Sequence, residues 1–384
     1  MRRLGVVAAA LLLAACVGEP TASLTPTPTA TSALSVWDEL GPITLAAPSR
    51  YAEILRPELD EWNAAHPAEP ATLRELPDSP DVVLADLQAR AEQDDGEYTL
   101  TLLDAEWLAA LDGAYQAFPA AADADADADA DVDAEATPAA VGSGLGVAFA
   151  ADPTVRFKHA EPVKGCAKPA GPLCAARGLA SDIALARALR ETASSPLPGT
   201  GAVLALEAGL DQLRHDFQAM PAAALTWDDA AVADAFTAGE VFAAEIPASY
   251  YQRVRADDVT GEPASPNAVL AVMELAVSAH GRNLGTASAL ANWLTRPEAA
   301  QARWDTYGLC PPTGVADLKQ TDWQQTMAAV LETATVQTTS DKWPQAVKAI
   351  ADQTRPVLLR ELTPAQAAQD LQAALTQICG PASC

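Results

Sequence analysis

The sequence predicts an α/β fold, and three observations carry that prediction. Between Ile43 and Tyr115, strand-like runs alternate with segments whose apolar residues recur at helical spacing, the pattern of a parallel sheet covered by helices. Far downstream, Met273 to Ser278 reads as a buried strand with helical patterns after it. Nothing after residue 15 approaches eighteen uninterrupted apolar residues, so no later segment is expected to span a bilayer.

The first sixteen residues, MRRLGVVAAALLLAAC, set the compartment. Arg2 and Arg3 form a basic head, Leu4 to Leu13 is apolar but short for a membrane span, and residues 1–15 have the form of a cleaved signal peptide. Leu13-Ala14-Ala15-Cys16 resembles the lipobox of bacterial lipoproteins, in which the cysteine is acylated and becomes the mature N-terminus. Each buried acyl methylene contributes about 0.8 kcal/mol, so a multiply acylated Cys16 anchors the chain on a membrane surface. An ordinary secretory signal, with Cys16 in a disulfide, is the other reading. Residues 16–42 then form a linker rich in Thr and Pro, with Pro26 and Pro28 in a Thr-Pro repeat that favours extended backbone and buries no core.

Folded character begins at Ile43. Ile43 to Ala47 is a strand stopped by Pro48, with Ser49 available to cap the first helix. Tyr51, Ile54, Leu55, Leu59 and Trp62 recur at helical spacing, and Pro57 predicts a kink or restart. Thr72 to Leu76 is a strand, Ser79 to Gly96 a second amphipathic helix, Tyr98 to Leu103 a β-rich run, and Asp104 to Tyr115 a further helix. In an open α/β sheet, ligands sit off the carboxyl ends of the strands, which places the Leu103 to Trp107 corner at an expected site. An indole there would stack on a sugar face while Asp104 and Glu106 accept hydroxyl protons; Trp107 as core and Glu106 as a first-turn helix charge satisfy the pattern equally.

The segments Tyr51 to Pro67 (YAEILRPELDEWNAAHP) and Tyr98 to Phe118, with Asp104-Ala105-Glu106-Trp107, resemble the first lobe of extracellular solute-binding proteins of bacterial ABC importers, in the maltose- and trehalose-type cluster. Gly146 to Asp152 resembles the family's crossover into the second lobe and puts Asp152 near the cleft. Phe236 to Ala243 resembles the family's turn into a strand, after which an aromatic often meets ligand. Tyr250 and Tyr251 stand there, and a packed corner is their alternative role. The most specific match is Asn292 to Gln301 followed by Tyr307-Gly308-Leu309-Cys310-Pro311-Pro312-Thr313, within which Thr295 to Glu298 reads as a capping box. Arg355-Pro356 resembles a junction, and Thr363, Pro364 and Gln366 start a closing helix carrying Leu371, Leu375 and Ile378.

The resemblance implies a two-lobed, type II periplasmic-binding-protein-like fold. Lobe 1 would hold residues 43–118 and part of 269–320, lobe 2 residues 145–268, and 269–384 would return through both. Between them, helical patterns at Leu179 to Thr192 and Val203 to Phe217 match the family poorly, so the second lobe is expected to be reduced. The acidic stretch 119–144 alternates Asp with Ala from Asp123 to Asp133; adjacent carboxylates would repel in a strand, and the chain-reversing glycine of a calcium loop is absent, so it reads as a disordered loop. Cys166 and Cys174 bracket a short loop suited to a local disulfide, and Cys310 is expected to pair with Cys379 or Cys384.

A formal charge of −27 repels phosphates and argues against nucleic acid. No Gly-x-Ser-x-Gly elbow, Walker sequence or His-Glu-x-x-His is present, and the four histidines are scattered, so neither an enzyme, nor a bound metal, nor a cofactor is expected. The expectation is a lipid-anchored, extracytoplasmic binder that captures a small polar solute, a sugar above all, through Trp107, Glu106, Asp104, Tyr250, Tyr251, Arg50 and Asp152, and hands it to ABC permease subunits. The rival expectation is an accessory lipoprotein that keeps the fold without cargo. Ligand identity and oligomeric state are not legible in the sequence.

Overall fold

The computed structural model describes residues 36–111, 113–118, 143–161, 163, 175–193, 202–265, 268–312, 321–336 and 340–380. The signal segment, Cys16, the Thr/Pro linker, the Asp-Ala tract, Cys166, Cys174 and Cys384 lie outside the described residues.

The chain opens with β1 (Ile43–Pro48), α1 (Ala52–Ala65), β2 (Ala71–Leu76), α2 (Pro80–Glu92) and β3 (Leu100–Asp104), and the three strands pair in parallel in the order β2-β1-β3. Pro57 sits inside α1 without ending it, near enough to the N-terminus that its missing N–H costs little. Ser49 does not cap this helix: Ser49–Tyr51 forms a 3-10 turn and Tyr51 takes the cap position. The helix expected over Asp104 to Tyr115 is cut to α3 (Ala105–Leu108), because Gly113 at φ +76 reverses the chain and β4 (Tyr115–Gln116) joins the sheet. β5 (Val147–Ala151) completes this sheet and leads out of it.

A second sheet comes next: β6 (Thr154–His159), β7 (Ala175–Arg177), then α4 (Asp182–Ala193), α5 (Ala202–Gln218), α6 (Asp229–Thr237), β8 (Ala243–Pro247), α7 (Tyr251–Val254) and β9 (Val259–Pro263), with strand order β7-β8-β6-β9. After β10 (Val269–Leu270), β11 (Val272–Ser278) returns antiparallel to β3, β4 and β5 at the heart of the first sheet. Helices α8 (Leu284–Thr295), α9 (Pro297–Tyr307) and α10 (Asp322–Thr333), the short β12 (Thr335–Val336), and α11 (Trp343–Leu358) with α12 (Pro364–Cys379) close the chain. Arg355-Pro356 is thus no junction; it lies within the last turn of α11, where Arg355 reaches Asp182 of α4.

Period two explains the layering. Leu45 and Ala47 enter a core shared with α1 and α8, while Ala46 faces a core built with α2, α4, α5, α11 and α12. Leu102 and Leu103, and Leu275 and Ala276, divide the same way. Both faces are buried, so these strands read as continuous apolar runs. The third core fills the second sheet and runs to Trp304 and Trp323. Residues from Ser35 onward form one compact unit, in which α4 packs in the same core as Trp107, Leu108 and Leu111.

Two further expectations are corrected. Thr295 does not cap α9: its hydroxyl donates to the Ala291 carbonyl at 2.8 Å, and Arg296 sits in the extended conformation that a following proline imposes. Cys310 is a free thiol. It is fully buried in the second sheet's core, its carbonyl accepts from Ala151 N at 2.9 Å, and burial pushes the thiol up to about 12. Cys379 packs against a different core and is engaged in a disulfide, to a cysteine other than Cys310. Gly308 ends α9 at φ +68, and a Cβ there would lie 2.3 Å from Trp323 Nε1, so the turn and the close approach both require glycine.

Candidate functional site

The carboxyl ends of strands from both sheets face one another, and the charged side chains of the chain gather between them. β1 ends in Arg50, β2 in the loop holding Asp78, and β3 in Asp104; opposite them stand Arg177 at the end of β7, Ser249 and Tyr250 after β8, and Asp229 at the start of α6. This is where open α/β sheets place ligands.

Asp152, in the step from β5 to β6, is the hub. Its carboxylate is buried and accepts from the Tyr51 hydroxyl at 2.5 Å, Ser249 N at 2.8 Å and Ser249 Oγ at 2.8 Å, with Arg50 Nε at 3.7 Å. Arg50 is shared: its Nη1 lies 3.8 Å from Asp78 Oδ1, which also accepts from Arg50 N at 2.9 Å. Burial by itself depresses the Arg50 pKa, but Tyr51, Asp152, Tyr250 and Asp78 together outweigh it and hold the guanidinium charged.

Beside this hub lies a cavity of about 380 Å³, lined by Ser49, Arg50, Glu53, Asp78, Tyr250 and Gln252 among others. That volume lies within the range of small-molecule pockets, about 300–1,000 Å³. Tyr250 is 2% exposed, and its hydroxyl closes no hydrogen bond of normal geometry, although Asp78 approaches it. Burial raises its pKa, and Asp229 and Asp78 raise it further against the pull of Arg50. Asp229, drawn toward ionisation by Arg187, Arg50 and Arg177, is still pushed up to about 6 by burial.

A second group lies at the end of β3. Asp104 caps α3, accepting from Glu106 N at 3.2 Å, and faces Arg187 Nη2 at 3.6 Å; Glu106 faces Arg190 Nη1 at 3.7 Å. Burial first, then the neighbouring Glu106 charge, raises the Asp104 pKa, with Arg187 opposing. Arg190 lies over the Trp343 ring at 3.7 Å, and burial lowers its pKa to about 10. Trp107 is 4% exposed in the apolar core beside these pairs, with its indole N–H unpartnered.

Of the residues singled out from sequence, Arg50, Asp152 and Tyr250 come together at the cavity. Asp104, Glu106 and Trp107 cluster one strand away, and there arginines of α4 face the two carboxylates. Tyr251 turns elsewhere, stacked on Trp323 at 4.2 Å beside a separate cavity of about 450 Å³. Sequence reasoning missed Asp78, Arg187, Arg190, Asp229 and Ser249. Asp78 and Ser249 follow strands, and Arg187 and Arg190 share a helix face by their spacing of three; those were the available signals.

Among the described residues no group of three or more His, Cys, Asp or Glu side chains could hold a metal ion, and no helix is long and apolar enough to cross a membrane.

No known family and no curated protein matches the sequence. Solved structures do match its fold. The maltose-bound MalE3 of T. maritima aligns with a TM-score of 0.69 at 15% identity, over 86% of this chain and 98% of that one. The GacH receptor of Streptomyces glaucescens, solved unliganded and with acarbose, gives 0.72 at 14% identity, over 88% and 98%. The ABC substrate-binding protein Lmo0181 of Listeria monocytogenes, in complex with cycloalternan, gives 0.68 at 14%, over 89% and 100%. The fold is therefore of the type II periplasmic-binding-protein kind. Because the alignments take in nearly all of each neighbour, no large part of that fold is missing, against the reduction expected of residues 145–268.

Proposed function

We propose that the chain is the substrate-binding component of an ABC import system, capturing a small polar solute, a carbohydrate, and delivering it to membrane permease subunits. The observation that carries this reading is the polar cavity at the facing carboxyl ends of the strands, where Arg50, Asp78, Ser249 and Tyr250 from both sheets meet. The hydroxyl and amide groups of Ser49, Ser249, Gln252 and Tyr307 suit a polyol, and the tyrosine rings suit its apolar faces. The proposed ligand set is Arg50, Asp104, Glu106, Trp107, Asp152, Tyr250 and Tyr251, with Asp78 and Ser249 added. No cofactor or metal takes part, and no reaction is catalysed.

In this reading ligand bridges the two sheets' ends, and the closed form is the one the permease recognises. Residues 43–118, with part of 269–320, act as one lobe and 145–268 as the other, joined through Asp152. The protein is held by a lipid on Cys16 outside the cytoplasmic membrane. Cys16→Ser is expected to abolish labelling by radioactive fatty acid and release the chain to the medium; continued labelling would reject the anchor.

A thermal-shift panel of mono- and disaccharides tests the cargo. A sugar at about a hundredfold excess over Kd stabilises by about 2.7 kcal/mol, a readily measured rise in Tm. Silence across the panel rejects the carbohydrate reading. One observation favours the rival reading, an accessory protein without cargo: Asp104 and Glu106 already have Arg187 and Arg190 against them, where a ligand's hydroxyls would bind.

A further inference from the structure

The charges around the 380 Å³ cavity do not balance. Two guanidiniums line it. Arg253 is tied to Asp234 at 2.5 Å, and Arg50 is divided between Asp78 at 3.8 Å and Asp152 at 3.7 Å. Glu53, on the cavity wall in the first turn of α1, has no hydrogen-bond or ion-pair partner among the described residues. Asp229, behind Tyr250, likewise makes no hydrogen bond or ion pair and feels its cations only at longer range. The neighbouring Arg187 and Arg190 face Asp104 and Glu106, and Arg177 is taken up by Glu191 and Glu245. Five carboxylates therefore meet two cations at the cavity, a local excess that the overall acidity of the surface does not explain, because these groups are drawn inward at the strand ends.

An acidic cluster alone is no site. Here the Tyr250 hydroxyl, buried on the cavity wall, closes no hydrogen bond of normal geometry. A buried polar group left unmade costs about 1–3 kcal/mol, so its persistence beside a cavity points to a partner that arrives with ligand. A neutral polyol would satisfy the hydroxyl but leave the carboxylate excess desolvated on closure. A ligand carrying a protonated amine among hydroxyls answers both.

We propose that this cavity selects a protonated amino sugar over the neutral sugar of the same shape. The proposal rests on the carbohydrate-binding reading above. The ammonium group lies toward Glu53 and Asp78, and the adjoining hydroxyls meet Tyr250, Gln252 and Ser249.

The test is calorimetric titration of the full chain with matched pairs: glucosamine against glucose, and the β-linked dimer of glucosamine against cellobiose. The amine is expected to bind about tenfold more tightly at low salt. The ratio should shrink at about 0.5 M salt, as charge pairing is screened. Glu53→Gln, at an exposed position that holds nothing else in place, should cut the amine-to-neutral ratio about threefold, an effect a purely structural role would not produce. Equal or tighter binding of the neutral sugars overturns the proposal and leaves the carbohydrate reading standing. If no sugar of either kind binds, both fall.

Discussion

Asp152→Ala is expected to destabilise the protein by about 3–5 kcal/mol, because it removes one partner of a buried, hydrogen-bonded ion pair and leaves Arg50 and the Tyr51 hydroxyl uncompensated. The loss is read as a lower urea midpoint. Asp152→Asn keeps an acceptor for Ser249 N and should cost clearly less. The size of the effect comes from position: this carboxylate stands at the step between the sheets and gathers the end of β1, the start of the first helix and the turn after β8. A change under about 1 kcal/mol for alanine would mean that the hub is decoration.

The double replacement Arg187→Met, Arg190→Met should give a loss that depends on pH. Methionine keeps the apolar stems and removes the charges facing Asp104 and Glu106. The folded-state pKa of Asp104 already lies above its unfolded value of about 3.9, so its contribution is complete below that value and is lost as pH rises through the folded pKa. Without Arg187, which lowers it, the folded pKa climbs further and the loss with rising pH deepens. The variant should therefore be weaker than the parent by about 2–4 kcal/mol at pH 7 and nearly equal to it at pH 4. Denaturation at the two pH values checks this. A constant difference would place the arginines' role in packing. If the variant also gains affinity for sugars, the arginines of α4 compete with ligand for the two carboxylates.

Much of the fold was legible because the strands bury both faces and the helices carry apolar stripes at fixed spacing. β1, β2, β3 and β11 stand where apolar runs predict them, and α4, α5, α8 and α12 start and stop close to the residues their periodicity marks. Where local signals misled, a tertiary demand outweighed them. Thr295 has the composition of a cap, but Pro297 forces the residue before it to be extended and the hydroxyl turns back to Ala291. The helix begun at Asp104 is short because Tyr115 is needed at the edge of β11. Thr321 and Gln324 form the reciprocal capping box that composition suggests at Thr295.

The sequence by itself determined the α/β layering, the strand ends at which polar residues collect, and the acidity of the surface, because each follows from local pattern and composition. It could not determine which charges meet. Arg187 and Arg190 read as solvated helix residues until α4 packs against the end of β3, and Asp78 and Ser249 read as ordinary turn residues until both close on Arg50 and Asp152. Only the tertiary structure decided that Cys310 is sealed away from Cys379 and that Tyr250, not Tyr251, borders the cavity. Pairing across a sheet interface depends on three-dimensional distance, and a Coulomb interaction of a few ångströms leaves no trace in residues a hundred positions apart.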